Sequence, residues 1–145
     1  MKTFAFRLQP GQDLKKELVS FTKEKNIQAG FILTCVGSLR HATLRLADEN
    51  IIKNFEKKFE IVSLVGTLCQ DGTHLHISLA DENGLCIGGH LLEGCLIYST
   101  AEIVLGEIDD ALFSRKADPA TGFRELNVEN LRMSIKEDFK WEIHD

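Results

Sequence analysis

Three histidines carry the most specific chemical signal in this 145-residue chain. In Thr73-His74-Leu75-His76-Ile77-Ser78-Leu79-Ala80 polar and apolar residues alternate. A strand here therefore puts Leu75, Ile77 and Leu79 on one face and His74, His76 and Ser78 on the other. Further along, Ile87-Gly88-Gly89-His90 supplies a third imidazole on what reads as the return strand. The two glycines beside it permit close approach of backbone or ligand.

Register decides whether His90 joins the other two, because a slip of one residue turns a strand's side chains onto the opposite face. The apolar residues give an independent criterion. If Leu79 and Ile87 are cross-strand partners on the buried face, the loop is Glu82-Asn83-Gly84, with Asp81 opposite Leu85. His76 then lies directly opposite His90. A three-residue loop built on a type I turn suits a glycine at its left-handed last position. A two-residue Asn-Gly turn would put His90 on the wrong face, and a bulge at Gly88-Gly89 would alter either register.

Three neutral imidazoles converging on one point are ligands for a divalent transition metal, zinc first among them. They leave a coordination position for water, substrate or a group from another subunit. The competing explanation is a solvated polar strand face that happens to contain histidines. Other candidates are weaker. Cys86 shares the expected face of His90, one cross-strand step from the cluster. Glu102, Glu107, Asp109 and Asp110 offer carboxylates at no spacing that identifies acid–base chemistry. Arg40, His41 and Arg45 are candidates for an anion pocket, or equally are exposed strand charges.

The elements that must position these residues are short and mostly extended. Residues 3–8 read as a first strand, closed by Pro10-Gly11. Asp13 is a helix N-cap, and Leu14, Leu18 and Phe21 recur at helical spacing, which predicts an amphipathic helix over 13–26. Beyond it, apolar segments at 30–37, 39–47, 59–70, 74–80, 85–92 and 95–107 are separated by turn residues and read as consecutive, mainly antiparallel strands. Residues 109–115 suit a strand edge or a short helix, 117–122 a polar loop, and 126–144 show no clear period. The expected fold is one α+β domain over 1–145, a mainly antiparallel sheet with one principal helix packed on it.

Composition narrows the class. Hydrophobic residues make up 43% and charged residues 27%, a globular balance rather than that of a disordered tail or a membrane protein. The start, MKTFAFRLQPGQD, shows no signal-peptide pattern, and no apolar run approaches the roughly 20 residues that span a bilayer. A cytoplasmic location is the expectation. There Cys35, Cys69, Cys86 and Cys95, set in apolar surroundings without CxxC spacing, are expected to be buried thiols. A net charge of −5 argues against a broad basic surface for nucleic acid.

The run from Phe59-Glu60-Ile61-Val62-Ser63-Leu64-Val65-Gly66-Thr67-Leu68 through His74-Leu75-His76-Ile77-Ser78-Leu79, followed by Gly88-Gly89-His90-Leu91 and Thr100-Ala101-Glu102, resembles the PPC domain family, conserved in plants and prokaryotes. Gly37-Ser38 and Ala42-Thr43-Leu44 are similar to it too, so the resemblance spans about 3–113, with 114–145 outside it. It implies an α+β fold assembling as a homotrimer. It also implies a metal site at His74, His76 and His90, as in stand-alone bacterial members. In plants the domain accompanies AT-hook segments, but no Arg-Gly-Arg-Pro core occurs here. Any link to DNA is therefore expected to run through partners.

Two functions compete. One is a small zinc-binding homotrimer with a binding or regulatory role. The other is a metal-dependent enzyme in which a three-histidine zinc ion lowers the pKa of bound water to about 7 and acts on a small molecule. A deep pocket with a carboxylate one hydrogen bond from that water favours chemistry, and a shallow site sealed by another subunit favours structure.

Overall fold

Local sequence chemistry starts the fold at the N-terminus. The computed structural model of the chain describes residues 1–48 and 50–131. Strand β1 (Lys2–Leu8) leads into helix α1 (Leu14–Glu24). The carboxylate of Asp13 accepts the backbone N–H groups of Lys15 and Lys16 at 3.0 and 3.1 Å, which caps the first turn. Its other oxygen accepts the N–H of Gly94 at 2.6 Å and ties the helix start to a distant turn. The helix ends at Lys25, and Asn26 follows with φ of 53°, a left-handed backbone that turns the chain away. Leu14 and Leu18 are fully buried, and Phe21 stacks on Phe6 with ring centroids 4.1 Å apart.

The rest is strand: β2 (Gly30–Arg45), β3 (Ile52–Phe55), β4 (Phe59–Cys69), β5 (Gly72–Ala80), β6 (Cys86–Leu91), β7 (Leu96–Glu107), β8 (Ala111–Ala117) and β9 (Arg124–Asn130). The architecture is thus mainly antiparallel β with one helix, more β-rich than an even α+β balance. The segments expected at 30–37 and 39–47 are one continuous strand, and β3, too short and polar to announce itself, was not expected. Residues 109–115 resolve as strand rather than helix, since β8 pairs with β9 across the 117–122 loop. Of the stretch without a clear period, 132–144 lies outside the described residues. No helix among the described residues is long and apolar enough to cross a membrane.

The long β2 organises the main sheet, whose order is β1-β7-β2-β4-β5-β6 with β3 also on β2. Gly30 of β2 pairs with Leu68 on one side and Glu107 on the other. Near its far end Leu44 and Arg45 pair with Leu91 and His90, so the path β2-β4-β5-β6 returns to β2. The core cluster includes Leu39, Leu44, Leu75, Leu79 and Leu91 from these strands and Ile97 from β7, each fully or almost fully buried. Burial of each such side chain contributes about 1.5–3 kcal/mol.

Two local devices keep the pattern in phase. The register of β4 against β5 shifts between Ile61 and Ser63, leaving Val62 as an extra residue pointing outward. Without it Leu64 and Leu68 would turn away from the core. At Gly66, with φ of 144°, the backbone passes so close to the His74 carbonyl that a Cβ would overlap its oxygen. The strand that carries His74 therefore sits where only glycine allows it.

Cys35, Cys69 and Cys95 are buried thiols, and burial pushes Cys35 up to about 12 and Cys95 up to about 11. Cys86 corrects the expectation of burial. It is exposed, because its register position opposite Ala80 puts it at the mouth of the β5–β6 hairpin, outside the apolar ring. Gly66→Ala is expected to lower unfolding stability by about 2–3 kcal/mol through combined overlap and backbone strain. Urea denaturation of the variant beside the wild type measures this, and an unchanged midpoint would contradict the close approach.

Candidate metal centre

The hairpin register that brings the histidines together is fixed at its turn. Asp81 N–H donates to the Leu85 carbonyl at 3.0 Å, and Gly84 N–H donates to the Asp81 carbonyl at 2.9 Å. Gly84 has φ of 76°, the left-handed end of a three-residue loop. The Asp81 side chain reinforces the turn by accepting the N–H groups of Asn83 and Leu85 at 2.9 and 3.0 Å, and it pairs with Lys57 at 2.7 Å. The Lys57 ammonium, followed by the Asn83 N–H, holds the Asp81 carboxyl below its ordinary range. From this turn the pairs run Ala80–Cys86, Leu79–Ile87, Ser78–Gly88, Ile77–Gly89 and His76–His90, with no bulge at the glycines.

His76, His90 and Arg45 consequently form one row across three strands, since Arg45 of β2 is the cross-strand partner of His90. His74 stands two residues before His76 on the same face. The three ring centroids are separated by 5.0, 5.2 and 5.5 Å, a nearly equilateral triangle. One potential ligand atom from each ring lies within 4.8 Å of the others. The Nε2 atoms of His74 and His76 are 3.2 Å apart. Zn–N bonds of roughly 2.0–2.1 Å at tetrahedral angles separate adjacent ligand nitrogens by about 3.3 Å, so this pair already has the spacing of two corners of a zinc site.

Electrostatics and hydrogen bonding favour the same use. Burial, with Arg45 next in effect, pushes the His90 imidazole down to about 4. Burial and the neighbouring His76 lower His74 as well. Both rings are therefore neutral at pH 7 with a lone pair to give. His90 Nδ1 is buried and has no hydrogen-bond partner among the described residues, an orphaned atom of the kind a ligand satisfies. The donor set, its spacing and this orphan fit a divalent transition metal.

The other sequence candidates disperse. Glu102 sits on β7 opposite Arg7 and Val36, away from the histidines. Glu107 is a buried acceptor for the Gln28 N–H at 2.9 Å, and Asp109 pairs with the N-terminal ammonium. Asp110 accepts the Leu131 N–H on its backbone carbonyl, at the start of the β8–β9 hairpin. Of the proposed anion trio, His41 bonds the Gly94 carbonyl at 2.6 Å and Arg40 lines a separate hollow with Pro10 and Tyr98, so only Arg45 reaches the site. Sequence reasoning missed Arg115, Phe123 and Arg124. They come from the β8–β9 hairpin and line a cavity of about 320 Å³ beside His74 and His90. A lone arginine in an alternating strand gives no local signal of where it will be buried.

The chain is similar to known proteins in both sequence and fold. The model of the Plants and Prokaryotes Conserved (PCC) domain matches residues 1–109. A bifunctional protein GlmU from Synechococcus sp. (strain JA-3-3Ab) is 51% identical over 131 residues, covering 90% of this chain and 21% of that protein. The chain thus spans about a fifth of the length of the curated relatives it matches. Among solved structures, a hypothetical protein from Salmonella enterica is 36% identical with a TM-score of 0.86, covering 89% of this chain and 94% of that one. A metal-containing protein from Archaeoglobus fulgidus is 29% identical with a TM-score of 0.72, covering 86% and 92%.

The depressed imidazoles set a pH dependence for the metal-free protein. A histidine whose folded pKa lies below its unfolded value of about 6.5 contributes stability that is present above that value and lost as pH falls towards the folded one. For His90 the window runs from about 6.5 down to about 4. Chelator-treated protein should therefore lose thermal stability between pH 7 and pH 5, and His90→Gln should lose less. Parallel Tm profiles for the two proteins would show that this ring does not carry the dependence.

Proposed function

The chain belongs to the Plants and Prokaryotes Conserved domain family, and from that premise we propose that it is a metal-binding module acting as a homotrimer in a binding or regulatory role. The observation that carries the metal reading is the triangle of His74, His76 and His90, two of whose nitrogens already stand 3.2 Å apart. The relative from Archaeoglobus fulgidus, described as metal-containing, supports it. Zinc is the favoured ion, because three imidazoles match its ligand preference and its tolerance of an open fourth position. Bound there, the ion would act as a Lewis acid towards whatever fills that position.

Several observations favour a module over a self-contained enzyme. The GlmU relative carries the matching stretch as a fifth of a much longer chain. The carboxylates singled out in the sequence lie away from the histidines, and of the two that line the adjacent cavity, Asp71 and Glu125, the first accepts the backbone N–H of Arg115. Assembly is supported by apolar side chains left exposed on neighbouring strands: Val36 on β2, with Val62 and Val65 on β4, are each more than half exposed. Such a patch on sheet faces is suited to burial against further copies. With a net charge of −5, any association with DNA is proposed to go through partners rather than through this chain's own surface.

Purified protein equilibrated with zinc and then desalted should retain about one ion per chain by elemental analysis, as a single three-histidine site requires. His76→Ala should lose most of it while circular dichroism stays unchanged, since the ring core does not include His76. Equal zinc in two folded proteins would sink the assignment. Light scattering at micromolar concentration should report three chains, and a strict monomer over a wide concentration range would remove the trimer. Binding to duplex DNA at physiological salt should be weak, whereas tight, steeply salt-dependent binding would move DNA to first place.

A further inference from the structure

Beside the histidine triangle the structure holds a second, unexplained feature: guanidinium groups on two of its flanks. Arg45 is the cross-strand neighbour of His90. On the other side Thr67 is the cross-strand neighbour of His74, and Arg115 donates from Nη2 to the Thr67 hydroxyl at 2.7 Å and to its carbonyl at 3.4 Å. Both arginines line the cavity of about 320 Å³ that also exposes His74 and His90, with Phe123 and Arg124 on its wall. Arg115 is only 8% exposed, and its Nε has no hydrogen-bond partner among the described residues. A buried guanidinium N–H left without an acceptor is unfavourable, and an oxyanion is the partner that guanidinium chemistry prefers.

We propose that this cavity is an oxyanion site, in which Arg115 and Arg45 hold the carboxylate or phosphate group of a small organic ligand against the histidine centre. The inference rests on the metal reading above and specifies the class of molecule that site takes. Acidic groups nearby do not cancel the arginines. Asp71 is engaged in accepting the backbone N–H of Arg115 at 3.3 Å. Asp71 and Glu125 also line the cavity, so three arginines face two carboxylates there. Arg124 donates from Nη2 to the Arg115 carbonyl at 2.8 Å and so holds the strand that presents Arg115. It acts as a positioning residue. The half-exposed Phe123 ring gives the cavity an apolar wall, which suits the organic part of a ligand better than a free inorganic ion.

Arg115, Phe123 and Arg124 all follow residue 109, the last residue matched by the family model. The hairpin thus gives this chain a ligand pocket built partly from outside the family-matched stretch. A hollow of this volume has room for a molecule of a few carbon atoms bearing one acidic group.

The test uses the full chain loaded with cobalt(II), whose visible absorption reports changes of coordination directly, titrated separately with acetate and with methyl phosphate. The expected result is a saturable spectral change with at least one anion. Apparent affinity should weaken about tenfold or more in Arg45→Met and in Arg115→Met, a loss of roughly 1.4 kcal/mol or more. Cobalt content should be unchanged in both variants. Arg40→Met, which removes a charge from a separate hollow, should titrate like the wild type. Circular dichroism monitors folding, and because Arg115 is buried, the less buried Arg45 carries the comparison should Arg115→Met fail to fold. Whichever anion binds identifies the acidic group. A loaded protein that responds to neither anion, or responds equally in the Arg45 variant, overturns the oxyanion site and leaves the metal reading intact. Failure to hold cobalt at all overturns both.

Discussion

Everything at the candidate centre depends on the pairing register of β5 with β6. Side chains in a strand alternate with a period of two, so a slip of one residue would carry His90 to the core side and Ile87 to solvent. Such a slip would bury a polar ring and expose an apolar side chain, and both changes are unfavourable. The turn enforces the same answer independently. Asp81 holds both ends of the three-residue loop through backbone and side-chain acceptors, and Gly84 takes the left-handed position. Apolar pattern and turn chemistry agree, and that agreement is what makes a single register specific.

The same logic explains what could be read from the sequence. Histidine alternation, the Leu79–Ile87 partnership and the Asp13 cap are local, and local periodicity reports them faithfully. Closure of the ring is not local. The pairing of Leu44 and Arg45 with Leu91 and His90 joins residues more than 40 positions apart, and no short window contains it. The division of β2 at Gly37-Ser38 failed for a related reason. Glycine there reads as a turn, yet the backbone continues as strand because Gly37 packs against the Thr100 carbonyl, where a Cβ would not fit. Cys86 misled because neighbouring apolar residues suggest burial even where the register turns the side chain out. The arginine flank was illegible altogether, since Arg115 acquires its meaning only when β8 crosses β4 beside Thr67.

Placing these groups together has a cost that the rest of the fold offsets. His90 Nδ1 and Arg115 Nε are buried without partners in a chain whose other described buried polar side-chain atoms are satisfied. Leaving buried polar groups unpaired typically costs about 1–3 kcal/mol each. A continuous core of fully buried leucines and isoleucines, braced by Phe6 on Phe21, supplies stability enough to hold them. Unsatisfied groups held on rigid strands are pre-organised, so a ligand meets them without first ordering the chain.

The charges also constrain one another. Arginines beside the histidines help keep the imidazoles neutral, which frees their lone pairs, but the same positive field opposes a divalent cation. Asp71 and Glu125 offset part of that field, and Asp71 is partly committed to the Arg115 backbone. An anion shared between a bound metal and the arginines, as proposed above, would resolve the conflict by neutralising charge on both sides. On this account metal and anion bind with positive coupling: each should raise the affinity of the other by the same factor, because linkage between two sites on one protein is reciprocal. The histidine triangle and the guanidinium groups beside it would then act as two halves of one site.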